Sequence, residues 1–214
     1  MRTIYVIAHP ESTHHVDGLV GGWYNSKLTP QGMSAAASIA DALRARIPEQ
    51  VDVELFSSDL DRASQAAIVI GDVLRVKPVL DRRLREKSYG EAEGQPQEWL
   101  TKRFLPPPAT GERMGHDEGI RGAETIAVFA QRIYEAMDEI LLSECEHQII
   151  VTHGGAITFA VASWMKLPIG SLDYARFQAA SGSITELRQD DYFHNRQLVS
   201  LGDTRHLASC DQNS

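Results

Sequence analysis

Ile149-Ile150-Val151-Thr152-His153-Gly154-Gly155 is a run of β-branched residues that ends in a histidine and two glycines. The run suits a buried strand, and the glycines suit a tight turn into a helix. Residues 156–165 are mostly apolar, interrupted by Thr158 and Ser163, and read as that helix, itself buried. The same signature opens the chain, where Ile4-Tyr5-Val6-Ile7 runs into Ala8-His9-Pro10. Two strands, each followed at once by a histidine, are thus the frame on which the rest is placed.

Working outward, strands and helices alternate. Thr29-Pro30 starts a helix, with Thr29 as N-cap and Pro30 at the first helical position. Ala36, Ile39, Ala40, Leu43 and Ile47 share its buried face until Pro48 stops it. Residues 51–56 alternate as a strand ending at Ser57-Ser58, and Ala63, Ala66, Ala67, Ile70 and Leu74 stripe a second helix. Val79-Leu80 is a short strand before the charged stretch 82–86. Ile126, Ala130, Ile133, Met137 and Leu141 space a long helix, and residues 183–188 and 196–201 read as a closing antiparallel pair. Two segments lack such order. Residues 10–27 show no helical period. Residues 88–122 are punctuated by Gly90, Gly94, three consecutive prolines and Gly111, with one amphipathic piece near 99–104. The expected architecture is α/β: a three-layer α/β/α sandwich on a mostly parallel sheet with an antiparallel edge. One domain spans 1–214, with an insertion or lid at about 88–122.

Composition bounds the function. In 214 residues, 43% are hydrophobic and 23% charged, which allows a substantial core and excludes fibrous, disordered and disulfide-scaffold classes. A net charge of −8 makes nucleic acid and anionic membrane surfaces poor partners, while a small anion needs only a few converging cations. No secretory leader or membrane span is read, so a cytoplasmic setting is expected, with Cys145 free and Cys210 a bystander in a polar tail. Oligomeric state is open, a homodimer included.

In α/β sheets, ligands bind beyond the carboxyl ends of the strands. Those ends here carry Ala8-His9, residues 57–62, Arg85-Glu86 and Thr152-His153. His9 precedes Pro10, which keeps it out of a helix, and a neutral imidazole is a competent nucleophile toward phosphorus. His153 heads a glycine turn where backbone amides can meet an anion, Gly154 foremost. Arg62 stands in the first turn of its helix, where a cation is disfavoured unless it faces an anion; a surface pair with Asp59 or Asp61 is the simpler alternative. Glu86 is either one more member of a solvated charge run or a proton donor to a leaving oxygen.

Taken together, these segments resemble the histidine phosphatase superfamily, in its phosphoglycerate mutase-like branch, over nearly the whole chain. The likeness rests on Ala8-His9-Pro10-Glu11-Ser12, Gly22-Trp23-Tyr24, Leu28-Thr29-Pro30-Gln31-Gly32, Ser57-Ser58-Asp59-Leu60-Asp61-Arg62-Ala63, Leu84-Arg85-Glu86 with Tyr89-Gly90, Gly122-Ala123-Glu124-Thr125 and Val151-Thr152-His153-Gly154-Gly155. The resemblance implies a phosphohistidine mechanism with no metal or other cofactor. His9 attacks phosphorus, Glu86 protonates the leaving oxygen, and Arg62 and His153 neutralise the equatorial oxygens. His14, His15, Ser12, Gly22, Tyr89 and Gly154 are the expected substrate- and phosphate-binding residues. Trp23 and Tyr24 are further candidates for the pocket wall, against the simpler reading of core aromatics.

One position departs from the pattern. The arginine that opens the family's Arg-His-Gly motif is Ala8 here, and the glycine is Pro10. A charge-assisted contact of about 1.5–3 kcal/mol is thereby lost. His15 falls at the family's asparagine position, and it or His14 could supply a donor. Three readings follow: a phosphatase acting on a small phosphorylated metabolite, a phosphoglycerate mutase-type transferase, or a catalytically weakened protein that binds a phospho-ligand. Four imidazoles near one mouth also raise zinc, but their spacing matches no local zinc motif, so no metal site is expected.

Overall fold

The computed structural model describes residues 1–208; Cys210 and the rest of the polar tail lie outside the described residues. The sheet is built from β1 (Arg2–Ala8), β2 (Val53–Ser57), β3 (Val79–Leu80), β4 (His147–Thr152), β5 (Ile184–Gln189) and β6 (Arg196–Asp203), in the order β3-β2-β4-β1-β5-β6. The four strands from β3 to β1 are mutually parallel, while β5 and β6 add antiparallel at one edge. This is the mostly parallel sheet with an antiparallel edge expected from the pattern.

Strand side chains alternate, so each strand feeds two cores. Tyr5, Ile7, Leu55, Ile149 and Val151 face one side and pack under α2 (Pro30–Arg46) and α3 (Asp61–Leu74). Ile4, Val6, Ala8 and Ile150 face the other, under α5 (Ile126–Ile140) and α6 (Gly154–Trp164). Helix α6 is buried at every position from Ala156 to Trp164. It therefore shows no polar stripe and reads in sequence as a plain apolar run. Helix α2 starts as its sequence dictates, with the Thr29 hydroxyl accepting from Gly32 N–H at 3.0 Å and Pro30 at its head.

Both irregular segments hold short helices. Residues 10–27 contain α1 (Thr13–Val16), a correction to the expected uninterrupted loop; a single turn is too short to generate a period. It is pinned locally, with Ser12 N–H donating to His15 Nδ1 at 3.3 Å. In 88–122, the amphipathic piece is α4 (Gln97–Thr101). Its Leu100 joins Ala92, Ile120 and Val20 in a small separate core, so this segment and the 10–27 segment pack together beside the strand ends. No helix among the described residues is long and apolar enough to cross a membrane.

Candidate active site

The carboxyl ends of β1, β2 and β4 bring His9, Ser58, Arg62 and His153 together, as the strand order requires. His9 leaves β1 with its N–H bonded to Thr152 O at 2.9 Å, which ties it to the end of β4. Its Nδ1 lies 2.8 Å from Pro10 O, so Nδ1 carries the proton and donates. Nε2 is left as a lone pair, and Arg62 Nε donates to it at 3.1 Å. The remaining Arg62 nitrogens donate to Tyr24 O at 2.8 Å and Gly22 O at 2.6 Å. Arg62 is therefore not in the surface pair considered from sequence. Asp59 is taken by Arg85 in a two-pronged bridge at 2.6 Å, and Arg62 is 1% exposed beneath the cavity.

The rings of His9 and His153 meet edge to face with centroids 4.9 Å apart. That is too close for a phosphoryl group to lie between them, a correction to the expectation that both rings face a shared anion. His153 is fully buried and absent from the cavity wall. Its Nε2 is 2.9 Å from the Ser58 hydroxyl, which itself accepts from Leu60 N–H. The Nδ1 of His153 is a buried atom with no hydrogen-bond partner among the described residues.

His14 and His15 do line the cavity, with Gly22, Tyr89 and Gly154. His15 stacks on His9 at 5.6 Å, nearly parallel. Because its Nδ1 accepts from Ser12 N–H, its Nε2 bears the proton and can donate. His14 Nδ1 is held by Ser12 at 3.0 Å and Ser26 at 2.7 Å. Ser12 is a correction: its hydroxyl is spent behind these rings, fully buried, and does not reach the cavity. Trp23 and Tyr24 are also off the wall. Trp23 instead braces the acid, its Nε1 donating to Glu86 O at 2.8 Å beneath Arg85.

Glu86 reaches the cavity from the segment after β3. Its Oε1 accepts from Lys87 N–H and its Oε2 from Gly155 N–H, both at 2.9 Å. The anion at the head of α6 is therefore the Glu86 carboxylate. A Cβ on Gly155 would stand 2.4 Å from Glu86 Oε1, so the glycine is what lets the carboxylate sit there. Arg132 fixes the same segment from α5, donating to Arg83 O, Arg85 O and Glu86 O while paired with Glu124. The role of Gly155 was within reach of the His-Gly-Gly motif. That of Arg132 was not, because it lies on a helix far along the chain with no local pattern.

The imidazoles are neutral at pH 7. Burial, reinforced by the Arg62 charge, holds His9 and His153 well below the usual histidine range. Burial, with His15 and Arg62 nearby, takes His14 to about 3. The unfolded chain, with ordinary values near 6.5, binds protons that these buried rings refuse. Stability is therefore complete above about pH 6.5 and lost as the pH falls toward the folded values. Each of the three rings contributes up to about 1.4 kcal/mol per pH unit in that window. Denaturant midpoints measured from pH 7.5 to 5 should fall steadily, and His14→Gln should flatten the slope. An unchanged slope in that variant would contradict the assignment.

Among the described residues, no group of three or more His, Cys, Asp and Glu side chains is arranged to hold a metal ion. The cavity of about 340 Å³ is walled by imidazoles, one buried guanidinium, one carboxylate and backbone glycines. A family model, the histidine phosphatase superfamily (branch 1), matches residues 4–204.

The chain belongs to the histidine phosphatase superfamily.

Within that superfamily, it is 27% identical over 202 residues to a Hydrogenobacter thermophilus protein provisionally named phosphoserine phosphatase 2, covering 89% of this chain and 91% of that one. It is 28% identical over 214 residues to a Yersinia pestis protein named a probable phosphoglycerate mutase, GpmB, covering 97% and 95%. A mycobacterial glucosyl-3-phosphoglycerate phosphatase structure shares the fold, with a TM-score of 0.77 at 22% identity over 95% of this chain and all of that one.

Proposed function

We propose that this chain is a phosphate monoester hydrolase acting through a phosphohistidine on His9. The observation that carries the reading is the tautomer of His9. Pro10 O holds the proton on Nδ1, so Nε2 presents a lone pair to the cavity beside a guanidinium. An incoming phosphoryl oxygen takes over the Arg62 Nε–H, which uncovers that lone pair as phosphorus arrives. The ester enters as its monoanion and hands its proton to Glu86; Nε2 attacks, the P–O bond breaks, and Glu86 passes that proton to the leaving oxygen. Water then attacks the phosphohistidine, Glu86 takes its proton back, and inorganic phosphate leaves with Nε2 restored. His15 Nε2–H is the neutral donor toward the phosphoryl oxygens, while His153, off the cavity wall, packs against the nucleophile's ring from behind.

The substrate is a small phosphorylated metabolite, and its alcohol part enters an adjoining cavity of about 470 Å³ that shares Glu86, Tyr89 and Gly155 with the catalytic one. Phe104, Pro107 and Arg113 of the 88–122 segment wall that space, so selection among alcohols belongs to the segment.

Incubation with an aryl phosphate, glycerol phosphates, phosphoserine and phosphoglycerates separates the readings. Phosphate release indifferent to chelator is the expected result. Isomerised phosphoglycerate without release would make the protein a mutase, and affinity without turnover would make it a binding protein.

A further inference from the structure

The catalytic cavity is short of positive charge. Ala8 lines it with a methyl group, 1% exposed, and the imidazoles are neutral. Arg62 and Arg176 are the two cations on the wall, facing one carboxylate, Glu86. Arg62 is also heavily engaged, with every nitrogen bonded to His9 or to a backbone carbonyl. Other nearby cations are committed elsewhere: Arg85 to Asp59, Lys87 to Glu118, and Arg132 to Glu124. Arg176 has no hydrogen bond or ion pair among the described residues, and it lines both the catalytic and the adjoining cavity.

Its placement is built into the fold. Arg176 lies between α6 and β5, in a strap fastened on both sides. On one side, Phe177 N–H donates to the Thr158 hydroxyl of α6 at 3.3 Å. On the other, the Ser181 hydroxyl donates to His9 O at 2.9 Å, and Gly182 N–H donates to Ala8 O at 3.0 Å. The strap is thus tied to the backbone of the nucleophile itself. Tyr89 lines both cavities with Arg176.

Resting on the phosphatase reading above, we propose that Arg176 is the second phosphoryl-binding cation, supplying from the strap the charge that position 8 lacks. A guanidinium here can present fork-shaped donors to equatorial oxygens. Nothing in the local sequence of residues 173–182 announces such a role.

Titration with inorganic phosphate tests this directly, because that ligand has no alcohol part. Arg176→Gln should weaken phosphate binding tenfold or more and lower kcat/KM by a similar factor on esters with neutral and with charged alcohols. Arg176→Lys should keep part of both. Restoring the cation at the other wall, in the double variant Ala8→Arg/Arg176→Gln, should recover binding. Phosphate affinity within twofold of wild type in Arg176→Gln would overturn the proposal. So would a loss confined to esters with anionic alcohols, or a folded double variant with no recovery. If the wild type binds phosphate but turns over no ester, the hydrolase reading fails while the titration still decides the role of Arg176.

Discussion

His9→Ala should lower phosphate release from every phosphomonoester by about four orders of magnitude or more, the scale seen when a covalent nucleophile is removed. The loss should not depend on the alcohol, because the same P–N bond forms whichever ester is used. A second readout separates a nucleophile from a phosphate ligand. Wild-type protein mixed briefly with excess labelled ester and quenched in alkali should retain up to one equivalent of phosphate, stable in base and lost in acid, as an N-linked phosphate is. His9→Ala should retain none. The variant should fold, since the ring is one wall of the cavity and its backbone ties to Thr152 and Ser181 remain. It does leave the buried Arg62 Nε–H without its acceptor, a cost of about 1–3 kcal/mol in stability. Phosphate affinity near wild type, with turnover gone, completes the expected result. Base-stable label in His9→Ala, or turnover above a hundredth of wild type, would remove His9 from its role.

The fold was legible because its signals are local. Strands β1 and β4 are short β-branched runs closed by a turn, β2 alternates, and α2, α3 and α5 each show an apolar stripe. The rule that ligands bind beyond the strands' carboxyl ends then points to His9, the segment holding Arg62, and His153. Legibility falls where a partner is chosen by tertiary contact. Nothing near Arg62 in sequence says that it spends its donors on Gly22 O and Tyr24 O rather than on Asp59. Ser12 sits where a phosphate ligand would be expected, yet its hydroxyl is consumed by two neighbouring histidines. Trp23 looks like a pocket aromatic by position, but its indole N–H is needed by the Glu86 carbonyl. Arg176 carries no pattern at all, and only the strap that crosses from α6 to β5 brings it to the cavity wall.

Glu86→Gln should cost roughly two to four orders of magnitude on an alkyl phosphate, whose alkoxide cannot leave without a proton. On 4-nitrophenyl phosphate the first step should slow by less than tenfold, because nitrophenolate departs unprotonated. The second step still needs a base to activate water, so this ester should give a burst of about one equivalent of nitrophenolate followed by a slow phase. The two glycines heading α6 make a paired test of the same carboxylate. Gly155→Ala places a Cβ 2.4 Å from Glu86 Oε1, a distance no relaxed contact allows, while Gly155 N–H is also the donor to Oε2. The carboxylate must swing away from both backbone donors, so Gly155→Ala should reproduce the alkyl-selective loss with the acid still present. Gly154→Ala meets nothing nearer than Ala179 O at 3.6 Å, an ordinary contact, and should cost far less. Rates that fall equally on the alkyl and aryl esters in Glu86→Gln would exclude proton donation to the leaving group. A Gly155→Ala enzyme as active as wild type would show that the carboxylate need not sit where these two amides hold it. An alkyl-selective loss in both variants would instead tie proton delivery to one carboxylate, aimed by the first turn of α6.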